Sequence, residues 1–185
     1  MKIIETSLPS VLIIQSPVYS DNRGFFMETY HKDKFSEAGI AVEFVQDNHS
    51  RSVKGIVRGL HYQEPLPQGK LIRVTKGEIF DVAVDIRVGS PTFRKWIGIK
   101  LSADKAEQLW IPPGFAHGFQ ALSETADVLY KVTQVWCPDN DQAIHWRDED
   151  IGVSWPIANG ILSEKDAKAI SLRQAAVLPR YPANP

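Results

Sequence analysis

LIRVTKGEIFDVAVDIR, residues 71–87, decides the fold class. Lys76 and Gly77 supply a turn between two runs rich in Ile and Val, residues that suit a pleated, half-buried surface. In the second run Phe80, Val82, Val84 and Ile86 share one face while Asp81, Ala83 and Asp85 share the other, which is the period of a strand and not of a helix. The reading predicts two strands and a sheet with an apolar side and a polar side. Downstream, FRKWIGIKL (93–101), EQLWIPPG (107–114), HGFQAL (117–122), DVLYKVTQVW (127–136) and AIHWRD (143–148) continue the pattern, with Gly, Pro, Asn or Asp between them. Many short strands without interleaved helices indicate an all-β antiparallel sandwich or jelly roll, not a parallel α/β sheet.

Upstream, LPSVLIIQSPVYSDNRGFFMETY (8–30) reads as an extended start, a turn at Ser20–Gly24 and a strand from Phe25 to Tyr30. Alternation there puts Phe26 and Glu28 on one face, where with Arg23 they are either one recognition patch or a plain surface feature. HKDKFSEAG (31–39) is a short helix closed by Gly39, and VEFVQDNHSRS (42–52) sets the amides of Gln46 and Asn48 on one strand face. LSEKDAKAISLRQA (162–175) returns to helical spacing, opened by Ser163 with Asp166 three residues on, and LPRYPANP (178–185) is expected to lie extended on the surface.

At 185 residues the chain suits one domain, 1–185, that buries about 70% of the surface of its unfolded form. Lys plus Arg number 21 against 22 acidic residues, so the net charge of -1 gives no general attraction to nucleic acid or to an anionic membrane. The single cysteine, Cys137, excludes an internal disulfide, and no apolar run reaches the length of a membrane span. The N-terminal stretch carries one lysine and is broken by Glu5, Thr6, Ser7 and Pro9, unlike a signal peptide. A cytoplasmic location is expected.

Chemistry concentrates in GIVRGLHYQEPLPQGK, residues 55–70. Its glycines permit close backbone approach, its prolines exclude a helix, and Arg58, His61 and Lys70 suit an anionic or carbonyl-bearing ligand. Each candidate also has a plain reading. His61 can be a structural histidine, and Lys70 a solvated strand end. His117, in PPGFAHGF, is either a ligand donor or a core histidine. Tyr130, on one strand face with Val132 and Trp136, is either a packing residue or a proton donor. Asp166 is satisfied as a helix-capping residue, or it orients the His61 imidazole. Arg58 and His61 lie an odd number of residues apart, so both enter one pocket only if Gly59 introduces a bulge or kink. Metal binding is disfavoured: Gln63 stands where a His-x-His pair needs its second histidine, and Arg58 and Lys70 repel a cation.

The runs SDNRGFFMETY (20–30), FVQDNHSRS (44–52), GIVRGLHYQ (55–63), QGKLIRVTKGEIFDVAVDIR (68–87), GSPTF (89–93), WIPPGFAHGF (110–119), LYKVTQVW (129–136) and LSEKD (162–166), in this order, resemble the dTDP-4-dehydrorhamnose 3,5-epimerase family. The resemblance implies a cupin-type jelly roll with a few short peripheral helices, no metal and no cofactor, and a homodimer whose pockets borrow residues from the partner. It implies a dTDP-4-keto-6-deoxyhexose as substrate. His61 would be general base with Asp166 holding its tautomer, Tyr130 general acid on the opposite face of the sugar, and Lys70 the cation beside the developing enolate. Arg58 and His117 would contact the diphosphate or sugar, Gln46 and Asn48 line the pocket, and Lys165 lie near its edge. Arg23, Phe26 and Glu28 would reach across the dimer to the nucleotide. Many relatives carry Tyr at the position of Trp136, whose indole stacks on a base but offers only a donor. Two other functions fit the same residues: an epimerase acting at one carbon or a ketoisomerase, and a non-catalytic nucleotide-sugar binding module.

Overall fold

The computed structural model describes residues 1–182. In chain order its elements are β1 (Lys2–Glu5), β2 (Leu12–Gln15), β3 (Val18–Asp21), β4 (Gly24–Met27), α1 (Lys32–Glu37), β5 (Gln46–Val53), β6 (Val57–Gln63), β7 (Lys70–Lys76) and β8 (Glu78–Asp85). There follow β9 (Trp96–Ser102), β10 (Glu107–Ile111), β11 (Phe115–Ala121), β12 (Thr125–Val132), β13 (Asp141–Ala143) and α2 (Glu164–Ala167). A six-stranded sheet runs β1-β2-β10-β7-β12-β5 and a five-stranded sheet β13-β6-β11-β8-β9, with β3 and β4 forming a separate hairpin. Every strand pairing is antiparallel. This is the jelly-roll sandwich that the strand pattern predicted.

The core between the sheets joins Ile72, Val74, Leu109, Ile111, Ala126 and Val128 from one to Ile79, Ala83, Leu101, Phe115, Phe119 and Ala121 from the other. The Val, Leu, Ile and Phe side chains among them contribute roughly 1.5–3 kcal/mol each when fully buried. Both outer faces are covered as well. Over the six-stranded sheet, Phe35 and Ile40 pack on Ile14, Leu71 and Trp110. Over the five-stranded sheet, Ile144, Ile151 and Leu172 pack on Leu60, Tyr62, Val82, Val84 and Ala116.

Double coverage revises the reading of residues 78–86. Val82 and Val84 do face an apolar layer, but it is the C-terminal segment and not the sandwich interior. The supposedly polar face, with Asp81, Ala83 and Asp85, points inward, and both aspartates are completely buried. Asp85 is satisfied by Arg87, Ser90 and Thr92 at 2.6–3.0 Å. Asp81 bonds to His117. The turn at Lys76–Gly77 joins strands of different sheets and so is a crossover, not a hairpin.

Helix α1 forms where the sequence placed it. Its end is a Schellman closure: Gly39 adopts φ 85°, its N–H donates to Ser36 O at 3.0 Å, and the Ile40 N–H donates to Phe35 O at 2.8 Å. Phe35 and Ile40 share one buried cluster, which anchors the helix on the sheet. The strand expected over Phe25–Tyr30 is shorter, ending at Met27, and Glu28 lies beyond it. The helical tail is two pieces, α2 and a 3-10 turn at Leu172–Gln174, because Ile170 bridges Ile144 and Ser171 starts a new capping box with Gln174. Of the extended terminal run, Arg180 bridges Val88, while residues 183–185 lie outside the described residues.

Candidate active site

A cavity of about 320 Å³ opens between the two sheets. The six-stranded sheet contributes Gln46, Asn48 and Ser50 from β5, Lys70 from β7 and Tyr130 from β12, and the five-stranded sheet contributes Arg58 and His61 from β6 and His117 from β11. Trp136 and Asp141 stand on the segment after β12 and at the start of β13.

Arg58 and His61 reach the same cavity because the strand between them is irregular. Gly59 sits at φ 119°, and the pairing with β11 slips between His117 and Phe119. A Cβ at residue 59 would lie 2.5 Å from Gly118 Cα and 2.7 Å from His117 O, so only glycine fits. The bulge expected at Gly59 is present. It sets His61 directly opposite His117 across the β6–β11 pair.

Each imidazole has a carboxylate behind it. His61 Nε2 lies 2.5 Å from Asp166 Oδ1, and Asp166 is almost fully buried. An Nε2–H donated to that carboxylate leaves Nδ1 as the basic nitrogen. The sequence weighed Asp166 as a helix cap against a partner of His61; it is both. Its backbone N–H donates to Ser163 Oγ at 3.1 Å while its side chain serves the imidazole. Burial pushes the Asp166 carboxyl up, but the His61 bond and charge, the Ser163 bond and the Gly59 N–H together hold it below the ordinary carboxylate range. His117 Nε2 similarly meets both oxygens of Asp81, at 2.9 and 3.1 Å.

Lys70 is buried, not a solvated strand end. Burial lowers its ammonium to about 8 from an ordinary 10.5, against the opposing pull of Asp141 and Asp81. Among the described residues it makes no salt bridge, so its donors remain for a ligand. Tyr130 lies on the sheet opposite His61. Burial raises its phenol, Arg58 partly offsets this and Asp141 adds to it, so the hydroxyl carries its proton at neutral pH.

Trp136 reaches the cavity by a route other than strand alternation, since β12 stops at Val132. Its indole N–H donates to Asp141 Oδ2 at 3.0 Å, and Lys165 Nζ pairs with the same carboxylate, which places Lys165 at the cavity edge. Arg23, Phe26 and Glu28 stand apart from this cavity. Arg23 pairs with Asp21, Glu28 bonds Lys34 at 2.7 Å, and Phe26 is 69% exposed on the β3–β4 hairpin.

Asp81, Asp141, Ser50, Gln63 and Gln68 also line or back the cavity and escaped the sequence reading. Only Asp81 left a signal, as an acidic residue flanked by Phe80 and Val82 in the middle of a strand. Among the described residues no three His, Cys, Asp or Glu side chains converge as metal ligands, and no helix is long and apolar enough to cross a membrane.

Fold and cavity together define a cupin-type jelly roll with titratable side chains on both walls of one pocket. The family model for dTDP-4-dehydrorhamnose 3,5-epimerase matches residues 5–174. The chain is 54% identical to the dTDP-4-dehydrorhamnose 3,5-epimerase of Shigella flexneri, covering 90% of this chain and 93% of the relative. It is 50% identical to that of Pseudomonas aeruginosa, over 97% and 100%. The crystal structure of a dTDP-6-deoxy-D-glucose-3,5-epimerase from Legionella pneumophila in complex with dTDP-4-keto-L-rhamnose superposes with a TM-score of 0.95 at 48% identity, covering 97% of this chain and 98% of that one. This chain belongs to the dTDP-4-dehydrorhamnose 3,5-epimerase family.

Proposed function

We propose that the cavity inverts carbons 3 and 5 of dTDP-4-dehydro-6-deoxy-D-glucose, giving dTDP-4-dehydro-L-rhamnose, with His61, Tyr130, Lys70 and Asp166 carrying the chemistry. Both carbons flank the ketone at carbon 4, so loss of either proton leaves a carbanion that delocalises as an enolate. His61 Nδ1 takes the proton, and the electron pair passes to the carbonyl oxygen beside the Lys70 ammonium. Tyr130 returns a proton from the other side, and the centre inverts. Solvent exchange then resets the imidazolium and the tyrosinate. Asp166 holds the imidazole in its tautomer and stabilises the charge formed after abstraction. The observation that carries this reading is the placement of the His61–Asp166 pair and Tyr130 on opposing sheets of one cavity.

The nucleotide lies toward Trp136, whose ring stacks on thymine, with Arg58 and His117 on the diphosphate or sugar and Gln46 and Asn48 along the wall. The chain acts as a homodimer in which Arg23, Phe26 and Glu28 of the exposed hairpin complete the partner's nucleotide site. Exposure of Tyr19, Phe25 and Phe26 at 65–71% supports that role, since a hairpin this apolar is suited to being covered. The experiment is turnover of the keto-sugar nucleotide in deuterated water, read by mass. Incorporation of two deuterons is expected; one would indicate a single-carbon epimerase, and none would remove the proton-transfer reading.

A further inference from the structure

Beyond Val132 the chain leaves the sheet, and residues 133–137 have no regular secondary structure. Little apolar burial holds them: Val135 is 62% exposed and Trp136 52%. Thr133 is tied to Gly69, its N–H donating to Gly69 O at 3.1 Å and its Oγ1 accepting from the Gly69 N–H at 2.8 Å; beyond it, side-chain amides hold the chain. Gln68 Nε2 donates to Gln134 O at 2.8 Å. Gln63 Nε2 donates to Leu66 O at 2.8 Å and to Val135 O at 3.4 Å, while the Cys137 N–H donates to Gln63 Oε1 at 2.9 Å. The Trp136 N–H donates to Gln46 Oε1 at 2.9 Å. A primary amide offers both an acceptor and donors, so these glutamines stand in for the peptide groups of a neighbouring strand. Gln63 and Gln68 are buried, a costly place for an unbonded amide, and Gln63 is bonded at both ends. Neither hydrogen-bonds His61, Lys70 or Tyr130, so proton transfer gives no reason for them.

We propose that Gln63 and Gln68 are positioning residues for nucleotide recognition, which fix the backbone of residues 134–137 and thereby the ring of Trp136 against which the base stacks. The inference rests on the sugar-nucleotide reading above. A ring held in its binding orientation before the ligand arrives avoids the ordering cost that a mobile one incurs on binding.

Binding of dTDP to the full-length chain, measured by titration calorimetry, tests this in a double-mutant cycle of Gln63→Met and Trp136→Ala. Gln63→Met is expected to weaken dTDP by about tenfold and Trp136→Ala by at least as much, with the double variant within about twofold of Trp136→Ala alone. Such non-additivity arises only if the amide acts through the indole, and a general loss of stability would not produce it. Losses that multiply in the double variant, or undiminished affinity in Gln63→Met, would overturn the inference while leaving the sugar-nucleotide reading intact. A parent chain that does not bind dTDP overturns both. Should Gln63→Met fail to fold, Gln68→Met enters the same cycle with the same outcomes.

Discussion

His61 Nε2 and Asp166 Oδ1 meet at 2.5 Å although 105 positions separate them in the chain. The carboxylate comes from the first turn of α2, whose start is fixed independently by Ser163. Position and chemistry are therefore separable at Asp166. Asp166→Asn keeps the backbone N–H that Ser163 Oγ accepts, but it loses the charge behind the imidazole. Epimerase kcat is expected to fall on the order of 100-fold, with the melting temperature within a few degrees of the parent. A fall in kcat matched by a large fall in melting temperature would make Asp166 a structural residue only.

In the proposed mechanism Lys70 sets activity against stability. Its pKa is lowered to about 8 in the folded state from an ordinary 10.5, so below about pH 8 the fold carries a buried charge that the unfolded chain would hold in water. The cost is about 3 kcal/mol, fully present below the folded pKa and relieved as pH rises toward the unfolded one. Lys70→Met is expected to melt higher than the parent at pH 7, with the advantage shrinking by pH 10, and to be nearly inactive. In the parent, kcat/KM is expected to decline as pH rises through about 8, since Tyr130, with its raised pKa, remains protonated there. A pH–rate profile flat to pH 9.5 would show that a charged Lys70 is not required.

Gly59 brings Arg58 and His61 to one cavity. Gly59→Ala places a methyl group 2.5 Å from Gly118 Cα at a backbone angle that L-residues rarely adopt. A loss of about 3 kcal/mol in chemical denaturation is expected. Activity should fall further than stability alone explains, because the relaxed strand turns either Arg58 or His61 away. A fully stable and active alanine variant would remove the bulge from the explanation of the site.

Strand identity was legible because period-two alternation is a local property: residues 80–86 could be assigned one by one, and Gln46 with Asn48 and Tyr130 with Val132 each to a shared face. The irregularity at Gly59 was legible from parity, since Arg58 and His61 cannot share a face of a regular strand. What alternation lacks is the sign of each face. Asp81 and Asp85 looked solvent-facing because a covering layer of Ile144, Ile151 and Leu172 lies far along the chain. For the same reason the second imidazole–carboxylate pair, His117 with Asp81, could not be read, although both residues stood in assigned strands. Trp136 was placed in the pocket by extending β12 past its end. It arrives there on an irregular segment whose glutamine supports come from β5, the end of β6 and the loop before β7, contacts that no local pattern encodes.

An imidazole that removes a proton and a phenol that replaces it leave different traces in deuterated water, where exchange can be followed separately at carbons 3 and 5 by NMR. Tyr130→Phe is expected to retain some exchange while accumulating little inverted product, because abstraction survives and delivery from the opposite face does not. His61→Asn is expected to lose exchange at both carbons by at least about 100-fold relative to the parent. Exchange at the parental rate in His61→Asn would mean that another group is the base, and the assignment of the cavity would fail with it.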